Sequence, residues 1–136
     1  MSRTAVDLPL YPGFEGPYSQ GAAGGGILYT SGQLPFDPEA GRIVDGPVAA
    51  QVRMCMQNIE RIVVAGGSNM DCVIRCCVFA RRYSDFQAVS RAYAEAFSEP
   101  YPARTFITVA DLPEGVDVII EAVAFVPETG RPSEDE

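Results

Sequence analysis

Two short segments near the carboxyl end of the chain constrain its fold more than any other feature. Residues 102–109 and 118–125 are rich in β-branched and apolar side chains and are bounded by turns that contain proline or glycine. Both are therefore predicted to be β-strands. Each has one charge in its interior, Arg104 in the first and Glu121 in the second. Because an unpaired charge among apolar neighbours is strongly unfavourable, these side chains either pair with each other or face a polar group from outside the chain.

The alternation of side chains along a strand predicts which residues share a face of the sheet. Arg104 is expected on one face with Phe106 and Thr108. Glu121 is expected on one face with Ile119, Val123 and Phe125.

Two amphipathic helices are predicted, separated by one strand. Apolar residues recur at helical spacing from Val48 to Val63, after a start at Pro47 with Asp45 or Gly46 as the cap, and the helix ends at Gly66-Gly67. The motif Ser84-x-x-Gln87 predicts a capping box at the start of the second helix, which Pro100 closes. Between them, a strand is predicted from about residue 72 to 80 that is apolar on both faces, so it lies either in the middle of its sheet or against a partner subunit on one side.

The amino-terminal half predicts a hairpin. Residues 3–6, about 18–23 and 27–32 are strand candidates, and the run Gly24–Gly26 is a turn between the second and the third. Residues 33–41 are predicted to be loop, with a brief extended segment at 43–44. The element order β-β-(β)-α-β-α-β-β predicts an α+β fold, in which a mixed sheet carries both helices on one face.

The last predicted strand is apolar on both of its sides, so the sheet face without helices also needs a cover. A chain of 136 residues has no further elements to supply one. A second copy of the same chain is the simplest cover, which predicts a homo-oligomer. We expect one domain over residues 1–126, followed by an acidic, disordered tail at 127–136.

Composition excludes several classes of function. The chain has no histidine, so serine–histidine and cysteine–histidine catalysis are ruled out, and no metal site is assigned. A net charge of −8 makes nucleic acid an improbable partner. The four cysteines are interpreted as reduced core residues. Without a signal sequence or a long apolar run, the expectation is a cytoplasmic protein that does not bind membranes.

Five blocks of sequence, in order along the chain, resemble the reactive intermediate deaminase family, RidA/YjgF. They are Gly16–Gln20, Leu28–Gln33, the Gln51…Asn58 helix, Pro102–Thr105 and Ile120–Ala124. The resemblance implies a chorismate-mutase-like (ferredoxin-like) fold and a homotrimer with three clefts between subunits. It also implies hydrolysis of enamines or 2-imino acids to 2-oxo acids and ammonia, with no cofactor.

The resemblance also assigns roles to individual residues. It implies that Arg104 clamps the substrate carboxylate and that Glu121 holds or activates the attacking water. Tyr18 would line the pocket, and the Ser31-Gly32 backbone would contact the ligand. The chemistry of these residue types agrees, since a guanidinium binds a carboxylate in bidentate fashion. Phe106 stands where many members have cysteine or another small residue, which would change the size or shape of the substrate, and Ser90 stands where asparagine is common.

Other interpretations of these residues stay open. Arg104 and Glu121 could form a structural ion pair, Tyr18 could be a packing residue, and Ser31 could serve only as a hydrogen-bonding turn residue. At the level of function, the alternatives are a trimer that binds a small carboxylate without turnover and an aminomuconate-type deaminase with a larger substrate. The ribonuclease name that some relatives carry is disfavoured by the acidic charge and the absence of histidine.

Overall fold

A six-stranded sheet organises the protein, whose structure is a computed structural model that describes residues 2–9 and 16–131. Its strands are β1 (Thr4–Val6), β2 (Gly21–Gly24), β3 (Ile27–Thr30), β6 (Val73–Ala80), β7 (Ala103–Thr108) and β8 (Val118–Phe125). They lie side by side in the order β1-β2-β3-β8-β6-β7. Among these strands, β6 and β7 pair in parallel and the other neighbouring pairs are antiparallel. A separate ribbon of two short strands, β4 (Phe36–Asp37) and β5 (Arg42–Ile43), precedes the first helix.

Both helices, α1 (Val48–Ala65) and α2 (Phe86–Ala94), pack on one face of this sheet. Apolar residues of α1 and α2 form one core with the inward side chains of β3, β6 and β8. The predicted α+β class, with a mixed sheet and two helices on one face, is confirmed. We call the other face of the sheet the open face. It carries exposed apolar side chains, among them Tyr29, Ile107 and Phe125, as expected from the sequence of β8.

The register places Arg104 and Glu121 on opposite faces of the sheet. Arg104 pairs with Cys76, and Glu121 pairs with Cys77, the next residue of β6. Residues directly opposite one another share a face, and successive residues alternate. Arg104 therefore lies on the helix side with the buried Cys76, whereas Glu121 lies on the open face. The possibility that these two charges form an ion pair within one chain is wrong.

Several predicted boundaries need correction. Pro47, not Asp45 or Gly46, is the N-cap of α1. The capping box at Ser84 is wrong, because residues Tyr83–Asp85 form a 3-10 turn and α2 begins at Phe86 with Asp85 as its cap. The segment 33–41, predicted to be loop throughout, contains β4. Strand β2 begins at Gly21 rather than at Tyr18, and β6 begins at Val73, after a 3-10 turn that ends at Cys72.

The glycine hairpin is confirmed and the end of β3 has a bulge. Gly25 and Gly26 have φ values of 60° and 81°, which suit a tight turn between twisted strands. Tyr29 pairs with Val123, but the next bridge joins Gln33 to Ile120. Between these bridges, the three residues Thr30–Gly32 thus lie opposite only Glu121 and Ala122 of β8, so one extra residue is inserted within Thr30–Gly32.

The carboxyl end of the described chain packs against the hairpin. Residues Glu128–Gly130 form a 3-10 turn, and the Arg131 guanidinium donates to the Val126 carbonyl at 2.7 Å. Defined structure thus extends to Arg131, beyond the predicted domain boundary at residue 126. The rest of the predicted tail, 132–136, and the Tyr11–Phe14 segment lie outside the described residues. No helix in the described part of the chain is long and apolar enough to cross a bilayer.

Asn58 should be critical for the position of the loop between β3 and α1. Its side chain is fully buried and its Nδ2 atom donates to the Leu34 and Phe36 carbonyls at 3.1 and 2.8 Å. We expect Asn58→Leu to lower the free energy of unfolding by about 2–3 kcal/mol, because buried carbonyls lose a donor. The exposed neighbour provides a control, and Gln57→Leu should change stability by less than about 0.5 kcal/mol. Urea unfolding at one fixed protein concentration measures both, and equal effects would contradict this role for Asn58.

Candidate functional site

Arg104 is held in a fixed position on the edge strand β7. Its Nη1 atom donates to the Ser90 hydroxyl at 3.0 Å, and its Cζ atom lies 5.3 Å from the ring centroids of both Phe86 and Tyr93. These three residues recur at i, i+4 and i+7, so they form one face of α2. A hydroxyl and two aromatic rings therefore orient the guanidinium without neutralising it.

The Arg104 guanidinium has no carboxylate partner within ion-pair distance among residues 2–9 and 16–131. One N–H group of the guanidinium donates to the Ser90 hydroxyl. A guanidinium has five such donors in a planar fork that matches a carboxylate. The half-buried cation is thus prepared for an anion from outside the chain. This arrangement supports a role for Arg104 in ligand binding over a structural ion pair.

Phe106 lies beside Arg104, on the same face of β7. Its ring packs edge-on against Phe86, with centroids 5.0 Å apart, and against Tyr83 at 6.0 Å. We call Arg104, its α2 contacts and Phe106 the arginine half-site. Sequence reasoning predicted Arg104 and Phe106 and noted Ser90 as a departure from the family pattern, but missed Phe86 and Tyr93 as functional residues. Their common helical face was visible in the sequence, but nothing in it showed that this face meets β7.

The β3 bulge creates a second group of predicted residues. The Ser31 hydroxyl donates to the Ser19 carbonyl at 2.6 Å, and the Ser31 amide donates to the Gln20 carbonyl at 2.8 Å. The Gln33 amide donates to Ile120. Between them, the Gly32 amide donates to no residue that the structure describes. An ideal Cβ at Gly32 would lie 2.9 Å from the Ile119 side chain, so a larger residue here would displace Ile119 or the bulge, and Gly32 itself is exposed.

Tyr18 stands beside the bulge. It is 56% exposed, and it lines a depression of about 420 Å³ on the open face together with Arg3, Tyr29 and Ser31. A smaller recess of about 50 Å³ joins Tyr18 to Gly32. The exposed ring, which borders two concave surfaces, supports the prediction that Tyr18 lines a pocket. Arg3 was not predicted as a site residue, because a charge near a chain end is usually a solvated one.

Glu121 lies opposite the bulge on the neighbouring strand. The residues on either side of it contact β3, since Ile120 bridges to Gln33 and the Ala122 amide donates to the Thr30 hydroxyl at 3.0 Å. Its side chain points to the open face, where Cys77 is its cross-strand neighbour. Burial, assisted by the Glu121 charge, raises the pKa of the Cys77 thiol. We call Tyr18, Ser31, Gly32 and Glu121 the bulge half-site.

The two half-sites do not meet within one chain. Glu121 lies on β8 and Arg104 on β7, with β6 between them, so these two strands are about 10 Å apart at ordinary strand spacing. The half-sites also lie on opposite faces of the sheet. The structure therefore brings together Tyr18, Ser31, Gly32 and Glu121, and separately Arg104 and Phe106. A ligand that contacts both groups must lie between two copies of the chain.

Comparison with known proteins identifies the family to which this chain belongs. The family described as Endoribonuclease L-PSP matches residues 11–126, which is most of the chain. The chain belongs to this family, RidA/YjgF. A RutC family protein of Pyrococcus horikoshii is 40% identical to this RidA/YjgF protein, over 81% of this chain and 87% of the relative. The 2-iminobutanoate/2-iminopropanoate deaminase of Salmonella typhimurium is 38% identical, over 91% and 98% of the two chains.

Solved structures agree with the fold of this RidA/YjgF protein. The crystal structure of Escherichia coli TdcF with bound serine superimposes with a TM-score of 0.84 at 35% identity, over 91% of this chain and 99% of TdcF. Together with the relatives named as deaminases, this similarity supports RidA-type deaminase chemistry at modest identity. The predicted family and the predicted chorismate-mutase-like fold are confirmed.

Two buried side chains that can titrate, Cys76 and Tyr93, lie next to Arg104 in this RidA/YjgF protein. Burial raises the pKa of the Cys76 thiol to about 11, from 9.0 for a free thiol. Burial also raises the pKa of Tyr93, and its proximity to Cys76 adds to the effect. Both groups are therefore uncharged at neutral pH, so neither of them competes as an anion for Arg104.

The raised pKa of Cys76 predicts that the protein loses stability in alkaline solution. Above pH 9 the unfolded thiol releases its proton, while the folded thiol keeps it up to about pH 11. Since the folded state then binds more protons, stability falls as pH rises across this window, by about 1.4 kcal/mol per pH unit for each such group. Urea unfolding at pH 8, 9.5 and 10.5 should show a shallower fall for Cys76→Ala. The non-titrating core variant Val78→Ala should keep the wild-type slope, and identical slopes for both variants would exclude this contribution of Cys76.

Proposed function

We propose that the protein hydrolyses 2-imino acids and their enamine tautomers to 2-oxo acids and ammonia, without a cofactor. The observation that carries this proposal is the guanidinium of Arg104, which is oriented by Ser90, Phe86 and Tyr93 and has no carboxylate partner in the described part of the chain. A 2-imino acid supplies the carboxylate that such a fork binds. The deaminase names of relatives over nearly their full length point to the same substrate class.

We further propose that the active site is a cleft between subunits of a homotrimer. The separation of the two half-sites supports a site shared by two copies, in which Arg104 of one chain faces the bulge half-site of its neighbour. The exposed apolar side chains of the open face support association of copies. Three copies, rather than another number, is the state that the resemblance to the family implies.

In this cleft the reaction needs a positioned water and a proton carrier. Arg104 binds the substrate carboxylate, and the Gly32 amide of the neighbouring copy can donate to a substrate oxygen. The Glu121 carboxylate takes a proton from water as the water oxygen bonds to the imine carbon and the C=N π bond breaks, and it passes this proton to the nitrogen. In the resulting carbinolamine, Glu121 takes the hydroxyl proton and passes it to the amine nitrogen, so that the C–N bond breaks, the C=O bond forms, ammonia leaves and the carboxylate is regenerated. Orientation and proton transfer each lower the barrier substantially.

Substitution of Arg104, which binds the carboxylate, and of Glu121, which accepts a proton from water, should have different effects. Arg104→Ala should lower kcat/KM by roughly 10² through loss of a charge-assisted pair, and Arg104→Lys should recover only part of it, because lysine cannot bind in bidentate fashion. Glu121→Gln should lower kcat by about 10²–10⁴ but keep binding of a stable 2-oxo acid. The measurement is ammonia release from imines formed in place by an amino acid oxidase, with Arg91→Ala on the exposed side of α2 as control.

The same experiment separates turnover from mere binding. A protein that only binds small carboxylates would release ammonia no faster than buffer with any imine, although it would still bind the 2-oxo acid. Full activity of Glu121→Gln would exclude Glu121 as the water activator.

Mixing two inactive variants tests the shared cleft. Arg104→Ala chains retain Glu121, and Glu121→Gln chains retain Arg104, so mixed trimers would regain an intact cleft wherever the right copies are adjacent. Random assortment restores about one quarter of the clefts of a ring with one cleft at each interface. Co-refolding equal amounts should therefore restore about a quarter of wild-type activity, whereas unmixed variants treated in the same way should stay inactive. If activity stays at the level of the single variants, although mass spectrometry shows mixed oligomers, the shared site is excluded.

A further inference from the structure

Three aromatic rings form a continuous apolar surface next to Arg104. Tyr83 stacks on Phe86 with centroids 5.5 Å apart, and Phe106 packs edge-on against both, at 6.0 and 5.0 Å. We call these residues the aromatic triad. Tyr83 is 69% exposed, and the other two rings are half-buried. The triad thus extends from the edge of the core into solvent, so it presents apolar surface that the described chain leaves partly uncovered.

The triad and the carboxylate clamp are physically continuous. Phe86 belongs to both, because its centroid is 5.3 Å from the Arg104 Cζ atom. Phe106 follows Arg104 by two residues on the same face of β7, which places their Cα atoms about 7 Å apart. A ligand with its carboxylate on Arg104 has its Cα roughly 5 Å from Cζ. A side chain of three or more carbons then reaches the ring of Phe86 or Phe106.

We propose that the aromatic triad is the side-chain subsite of the enzyme, and that it selects 2-imino acids with bulky apolar side chains, branched aliphatic or aromatic, over small or charged ones. This inference rests on the proposed function, since it requires that Arg104 bind the substrate carboxylate. Each methylene buried against the rings favours the transition state by roughly fourfold, and an aromatic substituent gains further from edge-to-face contact.

The polarity of the triad supports this direction of selectivity. No carboxylate of the described chain forms an ion pair with Arg104, and Arg104 itself is the cation that lies over the Phe86 ring. A charged substrate side chain would therefore exchange water for apolar surface, without a partner to offset the loss. A methyl or hydroxymethyl side chain would leave most of the triad uncovered. The rings thus favour leucine- and phenylalanine-type imines over those of alanine, serine or glutamate.

The experiment compares imines of different side chains with one enzyme preparation. An amino acid oxidase generates the imines of alanine, leucine, phenylalanine and glutamate, hydrogen peroxide reports how much imine forms, and ammonia reports how much is hydrolysed. We expect kcat/KM for the leucine and phenylalanine imines to exceed that for alanine by on the order of tenfold or more. Phe106→Ala should reduce this ratio severalfold while the alanine imine is still hydrolysed, and the similarly sized Phe106→Leu should reduce it less.

Two exposed tyrosines give a matched pair of control variants. Tyr83 belongs to the triad, whereas Tyr101, 52% exposed, has no ring contact with it in the described structure. Tyr83→Ala should lower the leucine-to-alanine ratio, and Tyr101→Ala should keep the wild-type ratio. Binding of phenylpyruvate and pyruvate, measured by calorimetry, gives a second readout that needs no turnover, and the preference for phenylpyruvate should be lost in Phe106→Ala and Tyr83→Ala.

The outcomes separate this inference from the proposed function. If no imine is hydrolysed faster than in buffer, the proposed function fails. If imines are hydrolysed but alanine is preferred, or if Phe106→Ala and Tyr83→Ala leave the ratio unchanged, the deaminase stands and the subsite is overturned. Dissociation of the oligomer by these variants, with unchanged selectivity in the remainder, would assign the triad to a subunit contact and would also overturn the subsite.

Discussion

The alternation of side chains along paired strands fixes Arg104 and Glu121 on opposite faces of one sheet, and the way this protein can assemble a site depends on that constraint. A backbone register cannot be changed locally without turning every later side chain of the strand to the other face. The chain therefore cannot bring its own Arg104 and its own Glu121 to one small ligand. In the proposed function, association between copies becomes part of the chemistry, and the exposed apolar side chains of the open face would favour such association.

The sequence alone was sufficient to predict the helices and strands whose residue patterns are local and recur at several positions. Strand β8 was predicted with its observed bounds, and α1 within one residue at its start, because β-branched runs and the helical period carry that information at many positions. The prediction failed where one local contact determines the start of a helix. The sequence allows Ser84 to cap α2, but a 3-10 turn occupies this segment and the helix begins after it. Strands of two residues, such as β4 and β5, are too short to show any period.

The candidate site was predictable in part for the same reason. Arg104 and Glu121 stand out as charges within apolar strands, which a local pattern shows. Their separation, the bulge and the contacts of Arg104 with Ser90, Phe86 and Tyr93 arise from pairing between segments distant in the chain. Side chains of α2 contact the half-buried Arg104, and the same helix contributes Phe86 to the aromatic triad. One helix face thus orients the cation and continues the apolar surface beside it, so in the proposed site substitutions on this face would affect the carboxylate and the side chain of the substrate together.

The bulge in β3 determines where the length of this chain can vary. Before it, Tyr29 faces the open side, whereas after it the buried Gln33 faces the helices. An ordinary alternation would place both on the same side, so the extra residue is what permits the exchange. Removing one residue from Thr30–Gly32 would therefore misplace every side chain up to the next turn, while the exposed turn at residues 39–41 could lengthen with little effect on the core. Related chains should accordingly keep a constant number of residues between the glycine hairpin and Gln33, and gain or lose residues between β4 and β5.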